Sequence, residues 1–378
     1  QSLLDRAKSG TYVAPPVRRV HIPKAGSDTE TRALGIPTFE DKVLQRAVAT
    51  VLETIYEQDF LDCSYGFRPG RSAHQALESL WRQTMNMGGG WIVEVDIRKF
   101  FDTIDHGHLR DFLKRRVHDG VLNRLIGKWL NAGVLEDGCL AHPEKGSPQG
   151  GVVSPLLSNV FLHYVLDEWF EREVQPRLKG QSFLIRYADD LVMGFSHEED
   201  ARRVMEVLPK RFEKYGLTLH PEKTRLVPLE RPGGAPHDAS AEARTPPGVF
   251  DLLGFTHFWA RSRKGNWVVK RTTSKSRSCR GLKALAQWLR KVRHEPLADQ
   301  HRALSQKLRG HFAYFGITGN AEALKRYRRG AIGLWRKWLS RRNRDGPMAW
   351  GRMYQLLERY PLPQAIVVHS VYRQAANP

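Results

Sequence analysis

Hydrophobic positions along this 378-residue chain follow two periods. Two short apolar runs, Phe183–Ile185 and Leu191–Phe195, flank Tyr187–Ala188–Asp189–Asp190 and predict two β-strands joined by a turn with an acidic tip. Trp91 to Ile97 predicts another strand, which delivers Asp96 at its carboxyl end. A helical period then takes over at Leu109, Phe112, Leu113 and Val117. Asp105 is its expected N-cap, so Asp102 and Asp105 read as turn and capping residues rather than metal ligands. The apolar stretch after Pro155 predicts a helix running to Trp169. Before it, small residues from Gly146 to Gly151 allow the backbone to approach a ligand closely. Three further amphipathic helices are expected near the C-terminal end. Their core stripes are Leu282, Leu285, Leu289 and Val292, then Leu304, Leu308, Phe312 and Phe315, then Leu324, Tyr327, Ala331, Leu334 and Trp338.

Charge changes the picture of that last region. The chain carries a formal net charge of +20, and Arg261 to Arg344 holds 24 Lys and Arg against Glu295, Asp299 and Glu322. That excess of 21 leaves the remainder near −1, so one segment supplies the whole basic balance. It is an electrostatic footprint for phosphate backbones. A membrane-surface helix fits less well, because the charge is spread over several helices and no lipidation motif is present. No apolar run approaches the roughly 18 residues of a membrane span. The polar stretch Pro232 to Gly248 reads as an exposed loop, and Thr272 to Ser278 as a domain boundary. Cys63, Cys139 and Cys279 are scattered, which suits a reducing compartment better than a disulfide framework. No Cys-x-x-Cys or His-Glu-x-x-His spacing suggests zinc. His106 and His108 are expected at the surface.

The acidic strand ends carry the candidate chemistry. Ionised carboxylates beside buried apolar strands require a partner or a cation. A hard divalent ion such as Mg²⁺ is suited to one or two carboxylates plus substrate phosphates. An acidic surface turn is the alternative, and the second acidic strand end at Asp96 weighs against it. Successive strand side chains point to opposite faces, so only one of Asp189 and Asp190 faces Asp96 fully unless the turn rotates both inward. Spacing does not decide which.

The order of elements (acidic strand, Pro148–Gln149–Gly150–Gly151 loop and helix, then Tyr187–Ala188–Asp189–Asp190) resembles the reverse transcriptases encoded by bacterial group II introns. Arg18 to Lys24, Leu34 to Pro37, Ser64 to Ser72, Pro221 to Thr224 and Leu253 to Phe255 carry the same likeness. The resemblance implies an α+β right-hand polymerase, with fingers and palm (an antiparallel sheet plus helices) over residues 1–270. A strongly basic, all-α thumb or maturase (X) domain is implied over 271–345. A tail over 346–378 is expected to pack on the thumb, with no endonuclease module. Family members have a further N-terminal stretch before Tyr12–Pro16, so a chain starting at Gln1 reads as a fragment.

The same resemblance implies residue roles. Asp96 and Asp189 bind two Mg²⁺ ions, with Mn²⁺ a substitute; Asp190 supports them and the Ile97 carbonyl adds a ligand. Phe101 packs under the sugar and excludes a 2′-hydroxyl, which disfavours an RNA-dependent RNA polymerase. Gln149 lies beside the incoming nucleotide, Lys24 and Arg32 grip its triphosphate with Arg18 a further candidate, and Lys223 protonates the leaving pyrophosphate. Thr31–Arg32–Ala33 departs from the family's usual Arg-Pro. Leu253, Gly254 and Phe255 form the primer grip. Lys283, Arg290, Lys291, Arg309, Lys325, Arg326, Arg328, Arg329, Arg336 and Lys337 are the candidate RNA contacts. The implied activity is RNA-directed DNA synthesis, joined to maturase work in splicing and retrotransposition. Its partners are intron RNA, an RNA template with a DNA primer, target DNA and dNTPs, without a membrane, in a bacterial cytoplasm with nucleoid association during retrotransposition. A domesticated relative in defence or DNA repair, and a mainly non-catalytic splicing cofactor, share the same motifs.

Overall fold

The computed structural model describes residues 2–23, 31–136, 139–141, 146, 150–232, 248–262, 264–342 and 346–370. The chain divides into two compact units, Gln1–Gly248 and Val249–Pro378. Most of the loop expected over Pro232 to Gly248 lies outside the described residues.

The first unit begins with helix α1 (Leu3–Ser9), strands β1 (Val17–Pro23) and β2 (Thr31–Ile36), and helices α2 (Phe39–Tyr56) and α3 (Ala73–Met87). Strand β3 (Trp91–Val95) leads into the short α4 (Phe100–Thr103), then α5 (His106–Lys114) and α6 (Gly120–Leu130). Next come strands β4 (Val134–Glu136) and β5 (Cys139–Ala141), and helix α7 (Ser154–Leu162). Strands β6 (Ser182–Tyr187) and β7 (Asp190–Phe195), helix α8 (Glu198–Glu213) and strand β8 (Arg225–Pro228) complete the unit.

The caps follow from side-chain chemistry. The Thr38 hydroxyl accepts from the Asp41 N–H to start α2, Ser72 caps α3, and Asp105 Oδ1 accepts from the His108 N–H at 3.0 Å to start α5. Asp105 is thus a capping residue, and Asp102 is exposed in the helical turn of α4. Pro155 occupies the first turn of α7, where its missing N–H costs no bond. The helix does not stop at Leu162: wider π-type turns cover His163–Asp167 and Phe170–Val174.

Strands β1, β2, β4 and β5 form one sheet in the order β2-β1-β4-β5. The other is antiparallel, β6-β7-β3-β8, with β3 and β7 in its middle. One face of that sheet (Val93, Val95, Leu184, Leu191, Met193 and Phe195) is buried in a core with Phe112 of α5, Phe161 of α7 and Phe212 of α8. Ile92, Phe183, Ile185 and Val192 on the opposite face are buried as well, so the central strands are covered on both sides and read as continuous apolar runs.

The second unit carries a three-stranded antiparallel sheet, β9 (Phe250–Leu252), β10 (Phe255–Arg261) and β11 (Trp267–Thr273), in the order β11-β10-β9. Helices α9 (Lys275–Lys291), α10 (Leu297–Phe315), α11 (Ala321–Ser340) and α12 (Trp350–Arg359) follow. The boundary expected at Thr272–Ser278 therefore falls inside this unit. Asn320, ahead of α11, accepts from the Thr273 N–H at 2.9 Å and donates to its hydroxyl at 2.8 Å, tying the sheet to the helices. The stripes of α9 and α10 are buried as expected at Leu285, Leu289, Leu304, Leu308 and Phe312. On α11 the stripe runs from Leu324, Tyr327 and Ala331 to Trp335 and Leu339, while Leu334 and Trp338 are only partly buried. Residues beyond 346 include α12, whose Met353 is fully buried in this core. The segment after α12 crosses the helices as a strap: the Val368 and His369 N–H groups donate to the Gly316 carbonyl at 2.7 and 2.8 Å.

Candidate active site

Strand β3 ends where the sheet meets solvent, and its pairing continues as a looser bridge. The His220 N–H donates to the Asp96 carbonyl at 2.8 Å, the Arg98 N–H to the Thr218 carbonyl at 2.8 Å, and Ile97 bridges Leu219. This pairing folds Pro221–Thr224 back over the strand end and sets Lys223 Nζ 3.0 Å from Asp96 Oδ2. On the other side β3 pairs with β7, with Val95 opposite Leu191. Carried one residue further, that register sets Asp96 opposite Asp190. Tyr187 pairs with Asp190 across the hairpin, which leaves Ala188 and Asp189 as its two turn residues. Asp189 is half-buried and Asp190 exposed.

The turn is held from behind. Ala188 adopts φ +57°, a left-handed conformation uncommon for residues with a Cβ. Arg186 lies fully buried beneath it, although its strand neighbours Leu184 and Ile185 are apolar. The guanidinium donates to both Asp167 oxygens at 2.8 and 2.5 Å, to Asn159 Oδ1 at 2.9 Å, to Ser64 Oγ at 2.7 Å and to the Ala188 carbonyl at 3.1 Å. Asp167 is equally buried, and its charge, with that of Asp189, holds Arg186 firmly protonated against the opposing effect of burial.

The Ser64–Arg68 segment docks on the same strand. The Tyr65 N–H donates to the Arg186 carbonyl and the Arg186 N–H to the Cys63 carbonyl. Gly66 lies so close to the Ala188 backbone that any Cβ there would collide with it. Arg68 turns inward to Glu57 and to the Leu61 and Ser64 carbonyls, which pins the segment. A charged residue inside an otherwise apolar strand is the one sequence signal that Arg186 gave.

Phe101 is half-buried on α4, with its ring 5.4 Å from that of Phe100. Gly146 enters beside it: its N–H donates to the Ile104 carbonyl at 2.8 Å, and its carbonyl meets His106 Nε2 at 2.5 Å. His106 is accordingly buried rather than at the surface, because it anchors the start of this loop. His108 is half-buried against Tyr215. Gly150 has φ +115° and lies against the Gly35 carbonyl, where a Cβ would come to 2.6 Å, so two of the motifs meet there. Arg18 is exposed on β1 opposite Ile36, and Arg32 lies on β2 opposite Ile22. Lys24 and Gln149 lie outside the described residues.

In the second unit, Leu253 and Gly254 form the tight turn between β9 and β10. The Leu253 carbonyl accepts from the Tyr314 hydroxyl at 2.9 Å, and Phe255 is buried against Tyr314 and Phe315. Among the basic candidates, Lys283, Arg290, Lys291, Arg309, Lys325, Arg326, Arg329 and Lys337 are exposed. Arg328 and Arg336 are committed elsewhere: Arg328 donates to the Pro363 and Leu362 carbonyls, and Arg336 to the Met348 carbonyl while lying over the Trp350 ring.

No group of three or more His, Cys, Asp or Glu side chains that could hold an ion occurs among the described residues. The donor set at the two strand ends nevertheless consists of hard carboxylate oxygens. It fits an ion held by one or two carboxylates and completed by substrate phosphates. The contact between Lys223 and Asp96 shows that this corner already attracts positive charge.

Residues 22–257, well over half of the chain, match the family model for reverse transcriptase (RNA-dependent DNA polymerase). The chain is 40% identical over 226 residues to the group II intron-encoded protein LtrA of Lactococcus lactis subsp. cremoris, covering 56% of this chain and 36% of that protein. It is 42% identical over 166 residues to protein YkfC of Escherichia coli (strain K12), covering 43% of each. The chain thus spans less than half the length of these relatives. Its fold is similar to that of telomerase from Candida albicans, solved with a TWJ fragment of telomeric RNA: TM-score 0.51 at 13% identity, over 93% of this chain and 62% of that one. The α+β polymerase fold and the family match agree, and the chain belongs to the reverse transcriptase family.

Proposed function

We propose that this protein is an RNA-directed DNA polymerase that transfers a nucleotide from a dNTP to a primer 3′-hydroxyl on an RNA template. The observation that supports it most is the convergence of Asp96 with the Asp189–Asp190 hairpin at neighbouring strand ends, beside Lys223. Asp96 and Asp189 would hold paired Mg²⁺ ions, or Mn²⁺, with Asp190 supporting and the Ile97 carbonyl as a further donor. Such ions lower the pKa of an attacking hydroxyl and stabilise both attacking and leaving oxygens. The side chains would do the positioning: the sheet holds the carboxylates, and Lys223, beside Asp96, would supply an ammonium to protonate the leaving pyrophosphate. Lys24, Arg32 and Arg18 would bind the triphosphate, Gln149 would lie beside the nucleotide, and Leu253, Gly254 and Phe255 would grip the primer.

The exposed basic residues of the second unit, from Lys283 to Lys337, support binding of intron RNA. A maturase role in splicing and retrotransposition, with target DNA as a further partner and a bacterial cytoplasmic location, accords with the likeness to a group II intron-encoded protein. No described helix is long and apolar enough to cross a membrane. Primer extension on an RNA template tests the core of the reading. Asp96→Asn and Asp189→Asn should each lower the rate by at least about a thousandfold while RNA affinity stays within a few fold. Extension by either variant near the wild-type rate would remove that residue from the site.

A further inference from the structure

Arg186 and its partner Asp167 are fully buried beside the Asp189 turn, and nothing about strand β6 requires a charged residue there. Its neighbours Leu184 and Ile185 show that an apolar side chain suits this interior. A buried ion pair replaced by well-packed apolar residues commonly leaves a fold as stable or more so. Yet each of the five N–H donors of this guanidinium has a partner: Nε and one Nη2 proton on Asp167, the other Nη2 proton on Ser64, and both Nη1 protons on Asn159 and the Ala188 carbonyl. The Ala188 carbonyl belongs to the peptide bond whose nitrogen is that of Asp189. Asn159 also donates to the Gly66 carbonyl at 2.7 Å, which holds Gly66 against the other side of Ala188. Asp167 arrives from the π-type turn His163–Asp167, a helix distortion that recurs at functional sites.

We propose that Arg186, Asp167, Asn159 and Ser64 form a buried positioning unit that fixes the left-handed turn presenting Asp189. Nucleotide transfer then depends on side chains that touch no substrate. This rests on the reading of Asp189 as a metal-binding carboxylate. A carboxylate must hold an ion and a reacting phosphate to within a fraction of an ångström, and a misplacement near 1 Å is enough to lower a rate about a hundredfold. The unit constrains the turn from both sides: the guanidinium holds the Ala188 oxygen, while Gly66 presses on its nitrogen.

The test uses Ser64→Ala, Asn159→Ser and Arg186→Lys in the full chain, with Asp189→Asn as reference. Four quantities are measured: kcat and the dNTP KM in primer extension on RNA, the Mg²⁺ concentration giving half-maximal rate, template–primer affinity, and thermal midpoint. Arg186→Lys and Asn159→Ser should lower kcat by about 10- to 100-fold and raise the Mg²⁺ midpoint several-fold. Ser64→Ala, which removes one acceptor, should shift both in the same direction by less. Template–primer affinity should stay within about twofold for all three. Wild-type kcat and Mg²⁺ midpoint in Ser64→Ala and Asn159→Ser, measured where both are folded, would overturn the proposal even if their melting points fell. An inactive Asp189→Asn beside such fully active variants would reject the positioning role alone. An active Asp189→Asn would reject the underlying reading of the site.

Discussion

On the proposed reading of the site, Phe101 would set substrate choice from a rigid seat. The chain enters α4 through Lys99 at φ +48°, which turns it sharply after β3 and sets Phe101 five residues beyond Asp96. Its ring packs edge-to-face on the buried Phe100 and against the core, so it has little freedom to retreat from an added hydroxyl. Phe101→Val should therefore lower the preference for dNTPs over rNTPs in kcat/KM by about tenfold or more. Competition between paired deoxy- and ribonucleotides measures this, and an unchanged ratio would take Phe101 away from the gate. Asp96, Phe101 and the hairpin aspartates stand out as candidates in the sequence because they sit in compact local motifs. Arg186 stands in such a motif too, but its partners lie 19, 27 and 122 residues away, so its role emerges only when α7 and the Ser64 segment pack on β6. His106 is buried for the same reason, since its partner Gly146 comes from 40 residues on.

Helix α11 shows what periodicity conveys and what it omits. The apolar stripe identified the helix, but in place of two of its expected core positions the buried residues are Trp335 and Leu339: from Ala331 the buried stripe advances in steps of four, which carries it round a helix of 3.6 residues per turn. Charge alone also could not distinguish basic residues that face solvent from those that hold the strap. Lys325, Arg326 and Arg329 are exposed, whereas Arg328 donates to the Leu362 and Pro363 carbonyls. The two groups should behave differently. Replacing Lys325, Arg326 and Arg329 together by Ala should weaken RNA binding and flatten its dependence on salt by up to three phosphate contacts. Arg328→Ala should instead cost about 1–3 kcal/mol of stability through lost charge-assisted bonds, with a near-normal salt slope. Affinity titrations across salt concentrations, alongside thermal melts, separate these outcomes. A full loss of salt dependence in Arg328→Ala would return that residue to the RNA-contacting face.

At the scale of the whole molecule, the charge is divided between a near-neutral part and a strongly basic segment, and protonation affects them unequally. His257 is fully buried on β10, stacked 4.8 Å from Phe250, with neither ring nitrogen hydrogen-bonded. Burial first, and the nearby Arg271 charge second, push its pKa down to about 3. His311 stacks on Tyr327 at 3.6 Å, and burial pushes its pKa down to about 4. His163 in the first unit is also lowered, chiefly by burial. In each case the folded pKa lies below the unfolded value near 6.5, so the unfolded chain takes up the proton first as pH falls. The stability is intact well above pH 6.5 and is lost progressively toward the folded values, by about 3 kcal/mol for His257 at pH 4.5. The second unit holds two of these rings, and its basic charge adds self-repulsion as further histidines ionise. Hydrogen exchange corrected for intrinsic rate should therefore show protection in β10, α10 and α11 falling between pH 7.5 and 4.5 by more than in β3 and β7. Replacing His257 by Leu and His311 by Phe should remove most of that fall. If the double variant lost protection as steeply as the wild type, acid sensitivity would have to be sought in the carboxylates instead.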